Sequence, residues 1–130
     1  MTAEPTTTAA TTPAPYSPLV RCPAGAELVF VSGQLPVTAG GQLADGGPAA
    51  QLAVALGNAL EVARSAGAGP ADVVKVTVYT TDLSSMDELN RAYTEVLGGA
   101  RPARTTVEVS RLPRGALAEV DLVATVPTGR

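Results

Sequence analysis

Asp72-Val73-Val74-Lys75-Val76-Thr77-Val78-Tyr79-Thr80-Thr81-Asp82 is the stretch that decides the fold. Val74, Val76 and Val78 face one way, and Lys75, Thr77 and Tyr79 face the other. This pattern predicts a strand buried on one face, with a polar second face that is either wet or covered by another subunit. On both sides of it the apolar period becomes helical. Upstream, Ala49, Leu52, Ala53, Leu56, Leu60 and Ala63 recur at helical spacing, with Pro48 suited to the first turn and Gly67 to the stop. Downstream, Ser85-Met86-Asp87-Glu88 has the form of a capping box. Met86, Leu89, Tyr93, Val96 and Leu97 then make the stripe of a second helix, ended by Gly98-Gly99.

Two more alternating segments follow. In the first, Arg104, Thr106 and Glu108 share one face, and Thr105, Val107 and Val109 the other. Leu112-Pro113-Arg114-Gly115 is a turn. In the last strand Ala118, Val120, Leu122 and Ala124 point one way, and Glu119 and Asp121 the other. Towards the N-terminus, Ser17 to Cys22 and Glu27 to Ser32 read as two short strands joined by a turn at Pro23-Ala24-Gly25. The run Leu28-Val29-Phe30-Val31 is continuously apolar and is expected to be buried, with Gly33-Gln34-Leu35-Pro36 breaking the strand. Residues 1–15 are Thr, Ala and Pro with one Glu and carry no period, which predicts a flexible tail before a domain over 16–130. The order ββαβαββ implies an α+β domain with two helices on one face of a single sheet.

The 130 residues include no His, which excludes a Ser-His-Asp triad, a Cys-His pair and a histidine metal site. Acid–base work must come from carboxylates, Lys, Tyr or water, and an anion must be held by Arg, Lys or backbone N–H. The net charge of −3, with dispersed Lys and Arg, argues against a nucleic-acid partner. The single Cys, Cys22, excludes an intrachain disulfide and reads as a spare thiol. Glu119 and Asp121 are the only close carboxylate pair, so no metal set is expected. There is no apolar run long enough for a membrane span and no signal-peptide pattern, so a cytoplasmic protein is expected. An aromatic content of only 3% leaves a core of small side chains, which favours further burial between subunits.

Four segments resemble the Rid family, the YjgF-type reactive-intermediate (imine/enamine) deaminases. They are Val29-Phe30-Val31-Ser32-Gly33-Gln34-Leu35-Pro36, Asp72 to Tyr79, Pro102-Ala103-Arg104-Thr105-Thr106-Val107-Glu108-Val109 and Leu117-Ala118-Glu119-Val120-Asp121. The likeness runs in order from about Tyr16 to Val126. It implies a chorismate-mutase-like fold with a single mixed sheet, assembled as a homotrimer around a central barrel, with pockets between subunits.

The resemblance also implies the chemistry. Arg104 would bind the carboxylate of a 2-imino or 2-enamino acid, and Glu119 would position or activate the water. Thr106 would help hold that water through its carbonyl. Gly33 would let the backbone approach the ligand, and Tyr16 would line the pocket. The products would be a 2-oxo acid and ammonia, with no cofactor. Thr106 stands where many members carry Cys, and Pro18 replaces a residue with an N–H at the pocket rim. A specialised biosynthetic member acting on another imine or enamine is therefore a second reading, and a non-catalytic carboxylate-binding trimer a third. Read without the family, Arg104 is a surface salt-bridge residue and Lys75 a member of a structural ion pair. Asn90 and Tyr93 read as packing or surface residues.

Overall fold

The computed structural model describes residues 6–7 and 14–127. Its elements in chain order are β1 (Thr6–Thr7), β2 (Val20–Arg21), β3 (Glu27–Gln34), α1 (Pro48–Ser65), β4 (Val73–Thr80), α2 (Met86–Leu97), β5 (Ala103–Glu108) and β6 (Ala118–Val126). The main sheet has the order β3-β6-β4-β5. The β3–β6 and β6–β4 pairs are antiparallel and the β4–β5 pair is parallel, so the sheet is mixed. The expected α+β architecture, one mixed sheet and two helices, is present.

The core lies between the sheet and the helices. Leu52, Leu56, Ala59 and Ala63 of α1 and Leu89, Tyr93 and Leu97 of α2 pack on Val76 and Val78 of β4 and on Ala118, Val120, Leu122 and Ala124 of β6. Small residues on α1 let the helix lie close to the sheet. At this interface each buried methylene contributes about 0.8 kcal/mol. Both helices stop where expected: Gly67 and Gly98 adopt positive φ, a conformation that costs glycine nothing.

Several expectations are corrected. Leu28 and Phe30 are exposed, Phe30 by 75%, while Val31 is buried. A strand covered on one face only buries alternate residues, so the apolar run reads as two faces and not as one buried segment. Gly33 does not break β3. The strand continues to Gln34 across a register shift between Val31 and Gln34. A second register shift, between Val73 and Lys75, brings Val73 into the core cluster, which Val74 does not join although it is buried. The two N-terminal strands do not pair with each other, because Val20–Arg21 pairs with Thr6–Thr7. Apart from Thr6–Thr7 and residues 14–15, the expected flexible tail lies outside the described residues. Ser85 precedes α2 but makes no side-chain cap, since a 3-10 turn over Leu83–Ser85 leads into the helix. Asp82 caps that turn instead, accepting from Ser84 N at 2.9 Å.

Candidate functional site

Parallel pairing sets Arg104 beside Val76 and Thr106 beside Val78. Neighbours in register share a face, so both residues point to the helix side of edge strand β5. The Arg104 guanidinium reaches α2, where its Nη1 donates to Asn90 Oδ1 at 2.9 Å. Its central carbon lies 4.6 Å from the centroid of the Tyr16 ring and 4.7 Å from that of Tyr93. Tyr93 is supplied by the buried stripe of α2. Tyr16 is supplied by the N-terminal segment, which is tied to the start of β5: Ser17 N donates to Pro102 O at 3.1 Å and Ser17 Oγ to Arg101 O at 2.6 Å. Pro18, beyond this tie, is exposed.

Each aromatic contact stabilises a cation by about 0.5–2 kcal/mol, the upper end applying where water is excluded. Burial lowers the Arg104 pKa and the two tyrosines oppose that shift, yet a guanidinium stays charged. Among the described residues Arg104 has no carboxylate partner, the ion pair present being Arg64 with Glu61. A half-buried cation held by two rings and one amide oxygen keeps N–H groups that suit an anion. Burial pushes the Tyr93 phenol well above its ordinary range, so it stays neutral. The Tyr93 and Thr106 hydroxyls are buried without a hydrogen-bond partner among the described residues.

The other face of the sheet carries the second group. Glu119 pairs in register with Tyr79, and Asp121 with Thr77. Tyr79 Oη donates to Asp121 Oδ2 at 2.7 Å. Burial first, and the Asp121 charge second, raise the Glu119 carboxyl above its usual value. Gly33 lies against it: a Cβ at Gly33 would collide with Glu119 Oε2. Lys75 is on this face too and donates to Thr105 Oγ1 at 2.7 Å, so its described partner is a hydroxyl and not the expected carboxylate.

The predicted site residues therefore fall into two sets. Tyr16, Arg104 and Thr106 lie on the helix side, and Gly33 and Glu119 on the opposite side; one chain does not bring the sets together. Asn90 and Tyr93, expected to be packing or surface residues, are the direct partners of Arg104. Their spacing of three along α2 puts them on one face. Sequence alone gives no register between that helix and β5, so the contact left no signal there. No group of three or more potential metal ligands exists among the described residues.

Residues 6–126 match the family model described as Endoribonuclease L-PSP. The chain belongs to this family, also known as YjgF or Rid. A RutC family protein of Pyrococcus abyssi is 38% identical over 111 residues, covering 85% of each chain. The 2-iminobutanoate/2-iminopropanoate deaminase of Bos taurus is 35% identical over 97 residues, covering 74% of this chain and 71% of the relative. Among solved structures, Escherichia coli TdcF with bound serine superposes with a TM-score of 0.70 at 30% identity, covering 88% of this chain and 90% of the other. Rid relatives thus include imine deaminases, and many carry only the RutC family name. No helix among the described residues is long and apolar enough to cross a membrane.

Proposed function

We propose that this Rid protein is a cofactor-independent hydrolytic deaminase of 2-imino and 2-enamino acids, acting as a homotrimer with its sites between subunits. The observation that carries this reading is the unpaired, half-buried Arg104 guanidinium, clamped between Tyr16 and Tyr93 and steadied by Asn90. Its remaining N–H groups suit the two oxygens of a substrate carboxylate. The neighbour's Gly33 and Glu119 complete the pocket from across the β5 edge. Exposed Leu28 and Phe30, on the same sheet face as Glu119, support assembly through that face. The deaminase name of the Bos taurus relative and the serine bound to TdcF support a small carboxylate ligand.

The reaction balances without a cofactor. An enamine first gains a solvent proton at carbon to become the protonated imine, and an imine reacts in the same protonated form. Glu119 accepts a proton from water as the water oxygen bonds to the imine carbon. The resulting carbinolamine carries hydroxyl and amine on one carbon. Glu119 passes its proton to the nitrogen, the carboxylate takes the hydroxyl proton as the C–N bond breaks, and ammonia leaves a 2-oxo acid. A raised carboxyl pKa strengthens Glu119 as a base once it is ionised. Arg104 fixes the electrophilic carbon by holding the adjacent carboxylate.

The test is to add the protein to a threonine dehydratase reaction and follow ammonia and 2-oxobutanoate. Faster release that is lost in Arg104→Ala and Arg104→Lys is the expected result. No acceleration by the native protein overturns the deaminase reading.

A further inference from the structure

We propose that Tyr79 is a positioning residue of the site: its hydroxyl holds the Asp121 carboxylate in place on the face it shares with Glu119. One carboxylate of the pair is thereby fixed as a neighbouring charge, and the other is left free to act. This rests on the reading of Glu119 as the base. Glu119 and Asp121 are neighbours on one face of β6, about 7 Å apart at about 3.3 Å per residue. By chemistry alone either carboxylate can take a proton from water. The register of β4 against β6 separates them. Tyr79 stands directly opposite Glu119, while Asp121 stands opposite Thr77. A cross-strand diagonal of about 7–8 Å is within reach of an aromatic side chain. Tyr79 takes that diagonal, and its Oη donates to Asp121 Oδ2 at 2.7 Å. The Glu119 carboxylate has no hydrogen-bond donor among the described residues and lies against Gly33.

The rest of the face leaves this role to Tyr79. From β4, Lys75 donates to Thr105 Oγ1 at 2.7 Å, so its described partner is not Asp121. From β5, Thr105 and Val107 pair with Thr77 and Tyr79, and neither is charged. From β3 come Phe30 and Gly33, also uncharged. The titratable groups of one chain that share the face with Glu119 are therefore Lys75, Tyr79 and Asp121. In the proposed trimer a neighbour's Arg104 joins them, equally in native and variant proteins. The bond to Asp121 first, and burial second, raise the Tyr79 phenol above its ordinary range, so it keeps the proton it donates. Without that bond nothing holds the Asp121 carboxylate on the diagonal. Like charges repel, so it turns away from Glu119 and its influence on Glu119 weakens.

Tyr79→Phe keeps the ring and deletes the bond. The test is a pH titration of the carbon-13-labelled full chain, following the Glu119 side-chain carboxyl by NMR, with Glu119→Gln identifying its signal. Tyr79→Phe should lower the Glu119 midpoint by about 0.3–0.5 pH unit, the effect of one unit charge about 7 Å away in water-like surroundings. Asp121→Asn should lower it in the same direction. The double variant should match Asp121→Asn alone, because Tyr79 acts only through Asp121. Thermal melting checks that each variant keeps the fold. A midpoint that is unchanged or raised in Tyr79→Phe overturns the proposal, as do shifts that add in the double variant. Imine turnover with a midpoint indifferent to Tyr79→Phe keeps the deaminase reading and removes this one. The expected shifts without turnover do the reverse.

Discussion

Arg104 and Glu119 stand on opposite faces of one four-stranded sheet: Arg104 is bonded to Asn90 on the helix side, and Glu119 lies against Gly33 on the other. A single chain cannot present both to one small substrate. If both act in one reaction, they come from different subunits, and the assembly is a condition of the chemistry.

Subunit mixing tests that condition. Arg104→Ala and Glu119→Gln chains should each be inactive alone. Unfolded together in equal amounts and reassembled, they should regain about a quarter of native activity, because random closed rings place an intact Arg104 beside an intact Glu119 at that frequency. A site contained within one chain would regain none.

The clamp around Arg104 makes a separate prediction. Tyr93→Phe keeps the ring and removes a buried hydroxyl that has no described partner, so activity and stability should stay close to native. Tyr93→Leu removes one cation–π face, worth about 0.5–2 kcal/mol. Its KM should rise roughly 2- to 30-fold by that energy while kcat falls less. Steady-state kinetics of the two variants decide this, and equal losses in both would assign the hydroxyl, not the ring, to the site.

If Glu119 is the proposed base, the pH profile of activity reports its carboxyl. A base must be ionised, and burial together with Asp121 raises this carboxyl above the ordinary 4.5. Activity should therefore fall as pH drops, with an acid limb above 4.5. Asp121→Asn removes a like charge, which favours the ionised form, so the limb should move to lower pH. Glu119→Gln should abolish the limb and lower kcat by about 10²-fold or more. A limb that ignores the Asp121 substitution would belong to another group.

Much of this was legible in the sequence, for physical reasons. Alternation in β4 and β6 and the two helical stripes follow from periods that the chain itself carries. The two register shifts are not periodic, which is why Val73 displaced Val74 from the core cluster and β3 ran on through Gly33. Leu28 and Phe30 read as core because hydrophobicity tells that a residue is to be buried, not against what. Family likeness picks out Arg104 and Glu119, and alternation places each on a face. The Asn90–Arg104 bond required a tertiary register that no local pattern encodes.

The outer face offers a test of assembly. Phe30 is 75% exposed in the single chain. Burying such a side chain contributes about 1.5–3 kcal/mol, repeated at each symmetric interface. If the proposed trimer closes through this face, Phe30→Asp should shift light scattering from trimer to monomer and remove the proposed activity, while circular dichroism retains the helix and strand signal. A trimer that survives this substitution would place the interface elsewhere.

Gly33 separates the position of Glu119 from the fold. Its φ is not positive, so alanine meets no backbone strain there. What the added methyl meets is the Glu119 carboxylate, the mobile end of a flexible side chain. Gly33→Ala should therefore leave the melting temperature near native, because the end of the Glu119 side chain can swing aside. On the proposed mechanism the same swing moves Glu119 away from the attacking water. A displacement of about 1 Å at a reacting group can cost 10²-fold in rate, so kcat should drop steeply while 2-oxobutanoate binding through Arg104 persists. Native kcat in this variant would show that the Glu119 carboxylate does not need its place beside Gly33, and would count against it as the base.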